Sequence, residues 1–241
     1  MLNLNAPRQF GFTLTELMVG GTVGLIILSA SVALYGTMVG AASVSLMETQ
    51  LSTELRQTID LITRDLRRAG YWAGEPGIDA LVSNPFTGNG NHVTIDAVRG
   101  ESTDSCITFA YDRDQDKHLG VGIKGKGGPL TDRDNVEQVG FRLHTGAVES
   151  RINGAGLSCN QGRWQDLTSS NIEITQLHFS LRQKTANLSQ PGKDCNGGDY
   201  CQYHRHVEVT LTGHLVTRPQ TKRTLTDAVQ IRNDWVALIP E

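Results

Sequence analysis

Arg8-Gln9-Phe10-Gly11-Phe12-Thr13-Leu14-Thr15-Glu16-Leu17-Met18-Val19 opens a stretch with no Asp, Glu, Lys or Arg between Glu16 and Glu48. Its centre, Leu17 to Val39, is mostly Leu, Ile, Val, Met, Ala and Gly. About 20 mainly apolar residues cross ~30 Å of hydrocarbon, so the stretch predicts one membrane span. Glu16 is the anomaly. A carboxylate at membrane depth costs roughly 2.5–3.5 kcal/mol even on insertion scales, so it is expected to have a partner and a role. Arg8, just before the span, places the N-terminus on the cytoplasmic side and the rest of the chain outside.

Beyond the span the pattern becomes amphipathic. Val44, Met47, Leu51, Leu55, Ile59, Ile62 and Leu66 recur every three or four residues, a helical stripe suited to packing on a sheet. No proline interrupts Thr13 to Ala69. One continuous helix of about 57 residues, roughly 85 Å at 1.5 Å per residue, is therefore expected. Arg64, Arg67 and Arg68 suit the negative end of the helix dipole, and Gly70 is a natural cap.

The Gly11-Phe12 junction, Thr13-Leu14-Thr15-Glu16 and the apolar run behind them resemble the class III signal of type IV pilins. The resemblance implies a leader, residues 1–11, removed by prepilin peptidase between Gly11 and Phe12, with N-methylation of Phe12. It also implies that Glu16 serves assembly. The charge argument runs the same way. A freed Phe12 ammonium and the Glu16 carboxylate are both poorly solvated, and helices packed with an axial offset let one chain's carboxylate meet the next chain's amine. Methylation keeps the amine charged. Two rivals are weaker: an ordinary signal anchor in which Glu16 snorkels to the headgroups, and a conventional signal peptide cut near Ser29-Ala30-Ser31.

Leu66-Arg67-Arg68-Ala69-Gly70-Tyr71-Trp72-Ala73-Gly74 and the closing Val229-Gln230-Ile231-Arg232-Asn233 resemble minor pilins of the PilW type. J-class minor pseudopilins of type II secretion are near relatives. The implied fold is α+β, a pilin fold with a long N-terminal α-helix packed on a C-terminal antiparallel β-sheet domain. Residues 12–42 would form the transmembrane and filament-core half of the helix, 43–70 its sheet-packing half, and 71–241 the periplasmic αβ-loop and sheet domain. Implied partners are prepilin peptidase, the major pilin and other minor pilins, the inner-membrane assembly platform and a large tip adhesin. The implied location is the inner membrane, single-pass, and then the filament or its tip.

Composition agrees with a membrane helix plus one globular domain: 241 residues, 38% hydrophobic, 26 Gly and 7 Pro. A net charge of −3 argues against a broad nucleic-acid surface. Residues 75–100, rich in Gly, Asn and Pro, read as a loop. Strands are expected over Ser105–Tyr111, Val136–His144, Ile172–Leu181 with one slip of alternation, Val207–Leu215 and Leu225–Trp235. Strands without alternating helices predict an antiparallel sheet. Cys106, Cys159, Cys195 and Cys201 all follow the span and read as two disulfides. Three connectivities are open. Proximity in sequence favours Cys195–Cys201, leaving Cys106–Cys159.

Asp112-Arg113-Asp114-Gln115-Asp116 places three carboxylates at alternate positions. The plain reading is a solvated acidic turn; the alternative is a calcium loop. An EF-hand is ruled out by Lys117 where Gly is needed and Ile123 where a bidentate Glu belongs. Gly120-Val121-Gly122-Ile123-Lys124-Gly125 matches G-x-G-x-x-G in letters, but Gly127-Gly128-Pro129 after it cannot open the helix that a pyrophosphate needs. His204 and His206 lack further ligands for zinc. No Ser, Cys or His arrangement resembles an activated nucleophile, so no enzyme and no cofactor are expected. A signal-anchored periplasmic enzyme or binding domain is the alternative of a different class.

Overall fold

The structure, a computed structural model, describes residues 11–74, 77–88, 92–120, 136–154 and 156–241. The predicted leader residues 1–10, and parts of the 75–100 loop, lie outside them. Helix α1 runs over Leu14–Leu66 without a proline. The chain divides into two compact units, Met1–Thr49 and Gln50–Glu241, and α1 contributes to both.

In the first unit, residues 11–43 are exposed throughout. In the second, Leu51, Leu55, Ile59, Ile62 and Leu66 are each at most 5% exposed. Their spacing puts them on one face of the helix. Met47 shares that spacing but is 40% exposed, so the fully buried stripe begins at Leu51.

After α1 come a short helix α2 (Ile78–Val82) and strands β1 (Thr94–Asp96), β2 (Cys106–Ala110), β3 (Gln138–His144), β4 (Ala147–Asn153), β5 (Arg163–Asp166), β6 (Ile172–Asn187), β7 (Tyr200–Leu215), β8 (Arg218–Gln230) and β9 (Trp235–Leu238). All pairings are antiparallel. The arrangement is α+β, one long N-terminal apolar helix followed by antiparallel sheet. There are two sheets where the sequence suggests one: β1-β2-β3-β4-β5, and β6-β7-β8 with β9 also paired to β7, on the edge away from β6 and beyond the end of β8. The slip of alternation in β6 is a register shift between Ile174 and Gln176.

Two expectations are corrected. The 75–100 stretch carries α2 and β1, which are too short to show a period. Leu225–Trp235 is not one strand: β8 ends at Gln230, and a break at 231–234 turns the chain so that β9 pairs with β7. The break has a purpose. The Asn233 side-chain amide donates to the Arg68 and Ala69 carbonyls at 3.3 and 3.2 Å, and the Arg232 amide to the Arg67 carbonyl. These carbonyls lie in the turn just past Leu66, where no helical amide serves them in the regular pattern, although the Arg68 carbonyl also accepts from the Tyr71 amide. Gly70 then takes φ +75°, and its amide donates to the Ala110 carbonyl at the end of β2. A Cβ there would meet Thr87 Cγ2 at 2.7 Å.

One core joins the buried face of α1 to both sheets: Ile107, Phe109, Phe141 and Val148 from the first, Leu177, Phe179, Val209 and Leu211 from the second. At Gly213 of β7 an added Cβ would touch Leu55 Cδ2 at 3.4 Å and Ile174 Cδ1 at 2.9 Å, so the missing side chain lets the helix lie close. Glu54 fixes this placement by accepting from the Ser169 amide and hydroxyl, at 2.5 and 3.0 Å. The disulfides are Cys106–Cys159, bridging a separation of 53 residues, and Cys195–Cys201, bridging 6. The first sits with Val98 and Trp164 in a small core of its own.

In the chain-entropy account, stabilisation grows with the loop closed. Replacing both Cys106 and Cys159 by Ser is expected to cost about 4 kcal/mol, and replacing Cys195 and Cys201 about 2, by the same account. Urea unfolding of the full chain in detergent measures both, and the reverse order would contradict the account. Asn233→Ala is expected to cost about 1–2 kcal/mol in the same assay, because it removes the side-chain donor from the Ala69 carbonyl just past the helix end. An unchanged midpoint would remove Asn233 from the cap.

Candidate functional site

The predicted processing and assembly residues, Gly11, Phe12 and Glu16, lie at the start of α1, and Phe12 is 88% exposed. Thr13 precedes the first helical residue. Its hydroxyl accepts from the Glu16 amide at 3.3 Å, while Glu16 Oε2 accepts from the Thr13 amide at 3.0 Å and the Thr13 hydroxyl at 2.8 Å. This is a capping box, in which two otherwise unpartnered donors are satisfied reciprocally. Sequence reasoning about the charge of Glu16 misses this local role, although the letters Thr13-x-x-Glu16 before an apolar run announce it. All three bonds lie on the Phe12 side of the Gly11–Phe12 bond, and Glu16 Oε1 takes no part in them.

The rest of the stretch needs little from its surroundings. Thr22, Ser29, Ser31, Thr37 and Ser43 each donate their hydroxyl to a carbonyl three or four residues back, at 2.8–2.9 Å. Backbone and hydroxyl groups are thus satisfied within the helix, as hydrocarbon requires. Leu14, Leu17, Leu25, Ile26, Val32 and Leu34 are more than half exposed, and none of the apolar window is buried within the chain. By length and composition α1 can cross a membrane. Gly20, Gly21, Gly24, Gly36 and Gly40 have open space where a side chain would stand, which allows another helix to approach closely.

The structure brings the three loop carboxylates Asp112, Asp114 and Asp116 together with a fourth, Glu137, which local spacing does not reveal. Glu137 sits just before β3, beside the end of β2, and the Tyr111 amide donates to its carbonyl. Burial pushes the Glu137 carboxyl above its ordinary range; Asp114 and Asp112 push the same way, against the pull of the Gly120 and Arg113 amides. Among the described residues this is the one place where three or more metal-ligating side chains converge. His204 instead faces Asp234 at 2.9 Å, and His206 is exposed. The glycine-rich match runs into residues 121–125, outside the described residues.

Two buried cations also escape sequence reasoning. Arg205 is 2% exposed; it donates to the Asn233 carbonyl, and burial lowers its pKa to about 10. Arg151 is 4% exposed, and burial lowers its pKa too.

Residues 44–231 match the family described as PpdB, prepilin peptidase-dependent protein B. The match begins after the exposed apolar stretch, so it is independent of the Gly11–Glu16 pattern. A protein of Haemophilus influenzae named only as uncharacterized is 25% identical over 160 residues, 56% of this chain and 67% of its own. No solved structure matches the chain.

Proposed function

This chain belongs to the prepilin peptidase-dependent protein B family, and from that premise we propose that it is a minor pilin of the PilW type. It joins other pilins through α1 to prime or cap a type IV pilus, and so supports pilus-dependent motility, adhesion and DNA uptake. It performs no catalysis of its own. The observation that carries the reading is Gly11-Phe12-Thr13-Leu14-Thr15-Glu16 followed by a helix whose apolar window is unburied among the described residues. Prepilin peptidase removes residues 1–11 at the inner membrane and N-methylates Phe12. The domain lies in the periplasm until the subunit is drawn into the filament. There Glu16 faces the Phe12 ammonium of a neighbouring pilin, and each pairing removes two poorly solvated charges and sets the axial register. The other partners are the assembly platform, the major and other minor pilins, and a tip adhesin. A J-type pseudopilin of a secretion system would use the same helix, so crosslinking to a pilus subunit rather than a pseudopilin decides between them.

Co-expression with a prepilin peptidase is expected to shorten the chain by Met1–Gly11 and add one methyl, read by intact mass. An uncut chain would sink the reading.

The capping box makes a sharper test of Glu16. Gln serves at the same box position without the charge. Glu16→Gln is expected to keep the helix start and cleavage yet lower incorporation into filaments at least about tenfold, because truncating one side of a desolvated pair costs some 2–5 kcal/mol. Glu16→Ala is expected to lose the cap as well. Normal entry of the Gln variant into filaments would show that Glu16 acts only as a cap.

A further inference from the structure

We propose that Asp112, Asp114, Asp116 and Glu137 bind one calcium ion, a site separate from the assembly helix and independent of the filament reading. One ligand oxygen from each of the four lies within 4.8 Å of the others. Calcium takes oxygens at 2.3–2.6 Å, so ligands on opposite sides of one ion stand about 4.6–5.2 Å apart. The spread therefore fits a single ion.

The independent pointer is an oxygen with nothing to bind. Asp112 is 2% exposed. Its Oδ2 accepts from the Ala73 and Lys117 amides at 3.0 and 3.3 Å, while Oδ1 is buried without a hydrogen-bond partner. Leaving a buried carboxylate oxygen unsatisfied is costly, and a cation removes that cost. Among the described residues no Lys or Arg supplies it. Among the described residues, the ion pair made by these four is His118 to Asp116 at 4.0 Å, on largely exposed side chains.

The carboxylates are also held in place, as ligands are by their outer partners. Asp114 Oδ1 accepts from the Asp116 amide and Asp116 Oδ1 from the His118 amide. Glu137 Oε1 and Oε2 accept from the Arg113 and Gly120 amides at 2.7 and 2.6 Å. Asp112, Asp114 and Asp116 have the spacing of the first three EF-hand ligands. Lys117 takes φ +70°, the left-handed turn that the EF-hand gives to its invariant Gly. Glu137 brings the remaining carboxylate from the approach to β3, replacing the absent Glu at the loop's end. All four donors are hard oxygens, which disfavours zinc and copper. Magnesium usually keeps several waters and one or two carboxylates, so four carboxylates favour calcium. The ion would brace the segment after α1, tied through the Ala73 amide, to the end of β2 and the start of β3.

The test is calorimetric titration of the chelator-stripped full-length chain in detergent with calcium chloride, then with magnesium chloride. One calcium per chain is expected, with magnesium at least tenfold weaker. At 100 times the dissociation constant, calcium is expected to raise the melting temperature by about 5–10 °C. Asp114 and Asp116 are exposed, so Asp114→Asn and Asp116→Asn are expected to melt like the parent without calcium while each loses at least tenfold in calcium affinity. No binding by the folded chain at about 10 mM calcium, above the ~1 mM of the weakest extracellular sites, would overturn the proposal. So would equal affinity for magnesium, or parental affinity in both variants.

Discussion

Among the described residues, the apolar stretch behind Glu16 is exposed as far as Ser43, and this constraint decides what the molecule can be. Exposed apolar surface is disfavoured by about 25 cal/mol per Å², and a patch running the length of such a helix marks a surface built for lipid or for other helices. The helix is prepared for either. Its hydroxyls bond back to its own carbonyls, and its glycines leave room for a close neighbour. What burial would leave unsettled sits at the start, where a carboxylate is followed by no opposite charge for the whole of the stretch.

The other end of the same helix is where the globular unit is tied together. The Arg68 and Ala69 carbonyls just past its end accept from Asn233, Gly70 reaches the end of β2, and the Tyr71 carbonyl receives the Asp112 amide. Two sequence patterns far apart in the chain, Arg67-Arg68-Ala69-Gly70 and Ile231-Arg232-Asn233, therefore form one structural feature. Each pattern makes sense only in the presence of the other. The closing segment must leave the sheet after Gln230 to deliver Asn233, which is why β8 and β9 are separate strands.

Much of the fold is legible in residue order because it rests on period. The three- and four-residue steps of Leu51, Leu55, Ile59, Ile62 and Leu66 mark the buried helix face, and the slip in alternation near Ile174 marks a real change of register. The parts that escape depend on pairing across distance. β1 and β5 are short, and β4, though as long as β3, carries the buried polar residues Glu149 and Arg151, so no apolar alternation announces them. Whether strands belong to one sheet or two is a matter of which edges meet, and local pattern carries no record of it. In the acidic loop, Asp112, Asp114 and Asp116 are visible as a spacing, whereas Glu137 joins them only because β2 and β3 lie side by side.

At Glu16 the local role and the proposed assembly role separate on energetic grounds. As the third helical residue, closing a capping box with Thr13, it satisfies the Thr13 amide, a contribution of about 1 kcal/mol. Glutamine would do the same at that position without carrying a charge toward the membrane. A charged group at membrane depth costs roughly 2.5–3.5 kcal/mol, more than the cap returns. Capping therefore explains why the helix starts at Leu14 but not why the residue is an acid. The excess cost is recovered only where a cation meets the carboxylate. The cap occupies Oε2 and leaves Oε1 out of its bonds, so one side chain can serve both the cap and the proposed assembly: the cap holds the carboxylate at the helix start, and in the proposed filament the remaining oxygen would face a neighbouring subunit's positive charge.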